Sequence, residues 1–273
     1  MGSLGQIIFC SMITLIILFS AIIILILALT FSGSLSGVMS SNTMPIANLG
    51  EDGFLSCYLH TTSEQTSTGQ VSVTWEKTGL TGLVYQYENG APNLRDQNPQ
   101  FKGRTQLFPD VLVTGNASLL LRDVSSSDAG DYTCSISSSD GGGKINIQLR
   151  TAAFSAPTFK LSNGTLAAEA SRWFPKPNVT WSNYDGNILQ ASTSFTPSSA
   201  GIFSVVSTLQ SVNASDTYNC RIENNLVAAI SKATITGSEV SGNTYFIYST
   251  ASSLLASAYL SLMTTVLCIC YLT

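Results

Sequence analysis

The sequence is short of charged side chains. Among its 273 residues, 12 are Lys or Arg and 16 are Asp or Glu, so 10% of the chain is charged, whereas soluble domains usually carry about a quarter. The formal net charge of −4 argues against nucleic-acid binding, because nothing would neutralise the phosphates. The single histidine leaves little material for metal sites or catalytic triads. We therefore expect no catalytic residue, metal, cofactor or small-molecule substrate.

Charge is missing altogether from both ends of the chain. The first charged residue is Glu51 and the last is Glu239. Residues 7–31 are an uncharged apolar run long enough to span a bilayer, and the small residues after it resemble signal-peptidase sites. We predict a signal peptide and leader over residues 1–37. A retained N-terminal anchor is the alternative, because the basic residues of an ordinary signal are lacking.

A second uncharged stretch closes the chain at residues 254–273. It fits either a single-pass type I transmembrane helix or the signal for a glycolipid anchor. The small residues Ser241 and Gly242, with Asn243 and the spacer that follows them, would suit glycolipid attachment. Both interpretations place the protein at the cell membrane with the middle of the chain outside the cell.

The middle of the chain has the pattern of an all-β protein. No apolar stripe of helical period is sustained there, and short β-rich runs alternate with turns rich in Gly, Asn, Ser and Pro. In residues 71–77 the side chains of Val73 and Trp75 share one face of the predicted strand, while Thr74 and Glu76 share the other. Such runs predict β-sandwiches.

The first set of strands carries the spacing of an immunoglobulin variable-type domain. Cys57 precedes Trp75 by 18 residues, and Cys134 ends the motif Asp-Ala-Gly-Asp-Tyr-Thr-Cys. In that fold the two cysteines join the sheets and the indole packs on the disulfide, while Tyr132 forms a tyrosine corner. We predict a V-type domain over residues 38–151, held by a Cys57–Cys134 disulfide.

A structural ion pair is also expected in this module. Arg104 and Asp128 occupy positions where such domains commonly close one end of the sandwich with a salt bridge.

The second set of strands predicts a constant-type sandwich over residues 152–238, followed by a stalk or spacer over 239–253. Trp181 and Cys220 stand in the expected relation, but Ala168 occupies the position of the partner cysteine. Cys220 is therefore an unpaired cysteine. We expect a buried free thiol against Trp181; an intermolecular disulfide is the alternative.

Four acceptor sequons predict N-glycosylation of an exported protein. They lie at Asn116, Asn163, Asn178 and Asn213.

A partner-binding face is predicted on the outer side of the first module. Its candidate residues are Glu76, Tyr85, Tyr87, Ser135 and Lys144. The two tyrosines face outward only if Val84 points inward, and they face the core in the alternative register. Exposed tyrosines are common in interfaces.

Several longer segments make the sequence resemble the butyrophilin-like family of T-cell co-signalling ligands. The most specific are residues 101–108 (FKGRTQLF) and 172–181 (RWFPKPNVTW), supported by 48–57, 82–90, 114–124, 127–134, 152–157 and 217–224. The resemblance implies a membrane-anchored ligand that binds a receptor on activated T cells and restrains activation, proliferation and cytokine production. Ala168 departs from the family pattern, so the resemblance implies no second disulfide. The competing hypothesis is a cell–cell adhesion molecule that acts through contacts between V-type domains.

Overall fold

The computed structural model describes residues 4–31, 37–59, 71–139 and 141–249. Helix α1 spans Leu4–Phe31, inside the range predicted as signal and leader. Within these described ranges, no helix was found to be long and apolar enough to cross a membrane. The predicted anchor, residues 254–273, lies outside the described residues. The strands form a compact unit separate from α1.

The first module consists of short strands joined by tight turns. Its described strands are β1 (Val38–Met39), β2 (Ile46–Asn48), β3 (Gly53–Leu55), β4 (Tyr58–Leu59), β5 (Ser72–Lys77), β6 (Tyr85–Glu88), β7 (Ala91–Pro92), β8 (Thr105–Gln106), β9 (Leu119–Leu121), β10 (Gly130–Ser138) and β11 (Gly141–Ala152). Helix α2 (Pro109–Leu112) and the 3₁₀ turns Pro99–Phe101 and Ser126–Asp128 lie between them.

Two sheets of this module enclose one hydrophobic core. Within the described residues, one sheet has the order β2-β11-β10-β5-β6-β7 and the other the order β3-β9-β8, with a small β1-β4 pair beside them. Strand β2 runs parallel to β11. The alternation predicted for residues 71–77 is confirmed: Val73 and Trp75 are fully buried and Glu76 is exposed.

The second module is a further sandwich with its own core. Its described strands are β12 (Thr158–Ser162), β13 (Thr165–Trp173), β14 (Asn178–Asn183), β15 (Ile188–Leu189), β16 (Ala191–Pro197), β17 (Phe203–Leu209), β18 (Thr217–Glu223), β19 (Val227–Thr236) and β20 (Glu239–Tyr248). One sheet has the order β12-β13-β17-β16 and the other β15-β14-β18-β19-β20. The predicted all-β fold of two tandem immunoglobulin-like sandwiches is confirmed.

Strand β20 differs from the sequence-based expectation. Residues 239–253 were predicted to form a stalk or spacer, but Glu239–Tyr248 pair antiparallel with β19 along the length of the strand. The inward side chains Val240 and Phe246 pack against the core of the second module. Because burial of these apolar groups favours the sheet, the second module continues past residue 238.

Polar side chains join the two modules. Asn48 donates from Nδ2 to the Phe154 carbonyl and accepts at Oδ1 from the Phe154 N–H, both at 3.1 Å. The guanidinium of Arg172 donates to the Leu49 carbonyl. These bonds satisfy buried backbone groups that the linker would otherwise leave unpaired.

Candidate functional site

The core of the first module holds the sheet that carries the candidate site. A disulfide joins Cys57 and Cys134, 77 residues apart, across the two sheets. Trp75 lies beside Cys134 on the neighbouring strand, and its indole N–H donates to the Ala117 carbonyl at 3.0 Å. All three side chains are fully buried. In the chain-entropy account, closing such a loop stabilises the fold by about 4–5 kcal/mol.

At one end of this sandwich, the half-buried Arg104 forms an ion pair with the fully buried Asp128. Arg104 Nη2 lies 2.5 Å from Asp128 Oδ2, and the carboxylate also accepts hydrogen bonds from the Ser125 N–H and Gln100. Burial alone would raise the pKa of Asp128, but these bonds favour the charged form and lower the pKa below its usual value. Tyr132 donates to the Asp128 carbonyl at 2.7 Å, forming the tyrosine corner.

The outer face of the β11-β10-β5-β6 sheet brings Glu76, Ser135 and Lys144 together. Ser135 on β10 is paired with Lys144 on β11 and with Thr74 on β5, and Thr74 is paired with Gln86 on β6. Paired residues of antiparallel strands share a face. Lys144, Ser135, Thr74 and Gln86 therefore form one row across the four strands.

A second row lies beside the first. Thr133 pairs with both Asn146 and Glu76, and Thr133 Oγ1 donates to Asn146 Oδ1 at 3.0 Å. Glu76 and Lys144 are exposed. Ser135 Oγ is enclosed and has no hydrogen-bond partner among the described residues, so the neighbouring side chains screen it from solvent.

The prediction that Tyr85 and Tyr87 face a partner is wrong. Tyr85 is paired with Trp75 and Tyr87 with Val73, both of which point into the core, and paired residues share a face. Both tyrosines are buried. Burial raises the pKa of Tyr85, whose hydroxyl also bonds to the Leu107 backbone.

The candidate partner-binding residues named from the sequence leave out four residues of this face. Thr74, Gln86, Thr133 and Asn146 complete the two rows. Strict alternation from the buried Trp75 and Cys134 identifies Thr74 and Thr133 as outward-facing. Gln86 and Asn146 are found only when the strand register is known.

The second module keeps an unpaired cysteine beside its tryptophan. Cys220 is paired with Trp181 on the neighbouring strand, and both it and Ala168 are fully buried. Burial raises the pKa of the Cys220 thiol to about 12. The Trp181 indole donates to Ser207 Oγ at 2.8 Å. This environment favours the buried thiol over an intermolecular disulfide.

The four sequon asparagines lie at turns or strand ends. Asn163, Asn178 and Asn213 are exposed, while Asn116 is half-buried and accepts a hydrogen bond from the Ser118 N–H at 3.1 Å. Glycosylation at these sites stays a prediction.

No group of three His, Cys, Asp or Glu side chains that could hold a metal ion occurs among the described residues. The arrangement of the outer face suits non-covalent recognition of another macromolecule.

Comparisons with known proteins agree with this architecture. Residues 41–151 match the family model "Immunoglobulin V-set domain", and residues 158–231 match "Butyrophilin subfamily 3 member A2-like, Ig-C domain". The fold and these matches define a two-module immunoglobulin-type protein of the butyrophilin-like class.

Two relatives that align along most of this chain define its family more closely. The rat protein V-set domain-containing T-cell activation inhibitor 1 is 40% identical over 249 residues, covering 88% of this chain and 87% of the relative. The human protein of that name is 36% identical over 272 residues, covering 96% and 95%. The chain therefore belongs to the family of V-set domain-containing T-cell activation inhibitor 1.

A solved structure, the human B7-H4 IgV-like domain, is 36% identical to this chain and has a TM-score of 0.38. It covers 42% of this chain, and the match spans 95% of that domain.

Proposed function

We propose that this protein is a cell-surface ligand that binds a receptor on T cells and negatively regulates their activation, proliferation and cytokine production. The observation that carries the proposal is the 36–40% identity, over 88–96% of the chain, to relatives named as T-cell activation inhibitors. The two immunoglobulin-like modules fit a ligand that acts by binding rather than by catalysis.

The outer face of the first module is the proposed receptor-binding surface. Its first row is polar across four strands and its second row across three, and Glu76 and Lys144 supply charges of opposite sign. A face of this kind recognises its partner through hydrogen bonds and charge complementarity, which set specificity and association rate. Burial of Tyr85 and Tyr87 means that the described part of this face offers no aromatic anchor, so we expect moderate affinity and rapid dissociation.

The adhesion hypothesis is not favoured. The names of the relatives concern T-cell inhibition, and like-with-like binding has no support from them.

The test uses presenting cells that express the full chain and deliver an activating signal to T cells. Proliferation and cytokine release should fall relative to presenting cells that lack the chain. Reversing one charge on the proposed face, by Glu76→Lys, should weaken receptor binding roughly tenfold, equivalent to about 1.4 kcal/mol. Asp110→Lys is the matched control, because Asp110 is an exposed carboxylate on α2, away from that face.

Surface staining with an appended tag normalises the two variants to equal display. Unchanged T-cell responses to the wild-type chain would contradict the inhibitory function. Equal loss of inhibition in both variants would leave inhibition standing and refute the assignment of the face. Aggregation of chain-bearing cells with one another, without any effect on T cells, would favour adhesion.

A further inference from the structure

Strand β20 returns the chain to the junction between the two modules. Strand β19 ends at Thr236, far from the junction, and β20 runs antiparallel to it. Next to β20, the Ser249 N–H donates to the Leu226 carbonyl at 2.8 Å. Arg150 of the first module donates from Nη2 to the Ser249 carbonyl at 2.8 Å and to the Met44 carbonyl at 2.7 Å. Residue 249 therefore lies at the junction.

The position of Ser249 limits where the hydrophobic stretch 254–273 can begin. Five residue steps separate Ser249 from Leu254, and a fully extended chain covers at most about 18 Å in that number of steps. The ten residues of β20 extend about 34 Å from the junction to the far end of the module. The 20 residues of the stretch span about 30 Å as a helix, so a bilayer-crossing helix needs all of them. While β20 stays paired, the module cannot stand end-on with its far end on the membrane.

Side-chain packing keeps β20 in the sheet. The Phe246 ring lies 5.2 Å from the Phe154 ring, centroid to centroid, and Val240 packs on the same core. Gly242 passes so close to Phe159 that an added Cβ would lie 2.7 Å from the ring. This close fit and the backbone pairing with β19 make β20 an integral strand.

The outer side of β20 carries an apolar patch. Tyr245 and Ile247 are 57% and 49% exposed. Ile230 on β19 is half-buried, pairs with Tyr245 and extends the same face. We call Tyr245, Ile247 and Ile230 the β20 patch. Tyrosine and aliphatic side chains together suit the boundary between water and lipid, where a ring can bury its body and keep its hydroxyl wet.

We propose that the β20 patch contacts the outer leaflet of the membrane, so that the second module lies on its side instead of standing upright. The proposal rests on the anchoring of the protein by residues 254–273 as a transmembrane segment. The short connection from Ser249 holds the junction end of β20 within reach of the lipid headgroups, and the patch on the same strand supplies the contact. The occupant of the patch is the zwitterionic lipid surface.

The sequon at Asn178 defines the tilt of the module. Asn178 pairs with Glu223, which pairs with Ala228, which pairs with Ile247, so Asn178 shares the outer face three strands from β20. That distance is about 14 Å at ordinary strand spacing. With the predicted glycan at Asn178, the sheet would meet the membrane along its β20 edge, and β14 would be raised to leave room for the glycan.

Bromolipid quenching of an added tryptophan tests this contact. The full chain is reconstituted in phosphatidylcholine vesicles, with or without bromine on the acyl chains. Tyr245→Trp places an indole in the patch, and Val206→Trp is the matched control, because Val206 is exposed on the opposite sheet. The native residues Trp75, Trp173 and Trp181 are fully or almost fully buried and give a constant background.

We expect the bromolipid to reduce the added emission at least about twofold more for Tyr245→Trp than for Val206→Trp, since interfacial groups sit about 5–10 Å into the headgroup and acyl boundary. A second patch variant, Ile247→Trp, should behave like Tyr245→Trp and guards against a local defect at residue 245.

The outcomes separate this proposal from anchoring itself. Flotation with the vesicles and equal quenching of patch and control variants would overturn membrane docking and leave anchoring intact. Failure of the wild-type chain to float would overturn anchoring and docking together. Release of the cell-surface protein by a phosphatidylinositol-specific phospholipase would also overturn docking, because glycolipid attachment at residues 241–243 removes Tyr245 and Ile247 from the mature chain.

Discussion

Restoring the missing bridge of the second module should stabilise it substantially. The perturbation is Ala168→Cys, which places a thiol at the position where the sequence pattern expects the partner of Cys220. Both positions are fully buried, on the facing strands β13 and β18 of the two sheets, as Cys57 and Cys134 lie on the facing sheets of the first module.

The size of the effect follows from the length of the loop that the bridge closes. Positions 168 and 220 are 52 residues apart, for which the chain-entropy account gives about 4 kcal/mol, and measured bridges typically deliver about 2–4 kcal/mol. For a module of this size, a gain of that order raises the melting temperature by about 8–30 °C.

Calorimetry of the oxidised variant measures this shift, after mass mapping has shown the 168–220 link. The double variant Ala168→Cys with Cys220→Ala is the matched control, because it carries the new side chain but cannot form the bridge. A linked variant that melts at the same temperature as this control would refute the reasoning. Failure of the thiols to link would show that the two side chains do not face each other across the core.

Three further outcomes are expected. Maleimide should label Cys220 at least about a hundredfold more slowly in the native chain than in urea. Burial raises the pKa of the thiol to about 12, and the thiolate is the reactive form. Fast labelling of the native chain at Cys220, mapped by mass spectrometry, would contradict the burial. Asp128→Asn should cost about 2–4 kcal/mol at pH 7 in urea unfolding, because it breaks the ion pair of the buried carboxylate with Arg104. The folded pKa of Asp128 is lowered, so its stabilisation is present above the unfolded pKa, near 4, and is lost as the pH falls through the folded pKa; a variant deficit that stays constant down to pH 2 would count against the pair. Gly242→Ala should push the Phe159 ring aside, lower the free energy of unfolding by about 1–3 kcal/mol and speed hydrogen exchange along β20. Unchanged exchange would show that the close fit is dispensable.

The framework of the fold could be predicted because its signals are local. The spacing of Cys57, Trp75 and Cys134 fixes three residues that must meet in one core, and alternation around Trp75 fixes which side chains accompany them. The alanine at position 168 likewise predicts that Cys220 is unpaired, and Cys220 is a free, buried cysteine.

The candidate face was harder to predict because it depends on strand register. Val84 and Tyr85 are consecutive and both buried, since regular pairing of β6 begins only at Tyr85. Alternation counted from Val84 therefore assigned the tyrosines to the wrong face.

Strand β20 escaped prediction for a different reason. Its centre, Ser-Gly-Asn, has the composition of a turn. Glycine is needed at position 242 because the Phe159 ring occupies the space where a side chain would lie. That long-range contact leaves no mark in the local sequence.

The hydrogen bonds of Asn48 and Arg150 across the junction also bear on how the protein carries mechanical load. When two cells pull apart, tension applied at the first module reaches the second module through these hydrogen bonds and the linker. Asn48 forms hydrogen bonds with both the N–H and the carbonyl of Phe154 in the linker. Arg150 of the first module donates a hydrogen bond to the Ser249 carbonyl, just after the last strand. Tension applied at the receptor side therefore crosses the first module and reaches residue 249 through Arg150, without passing through the core of the second module.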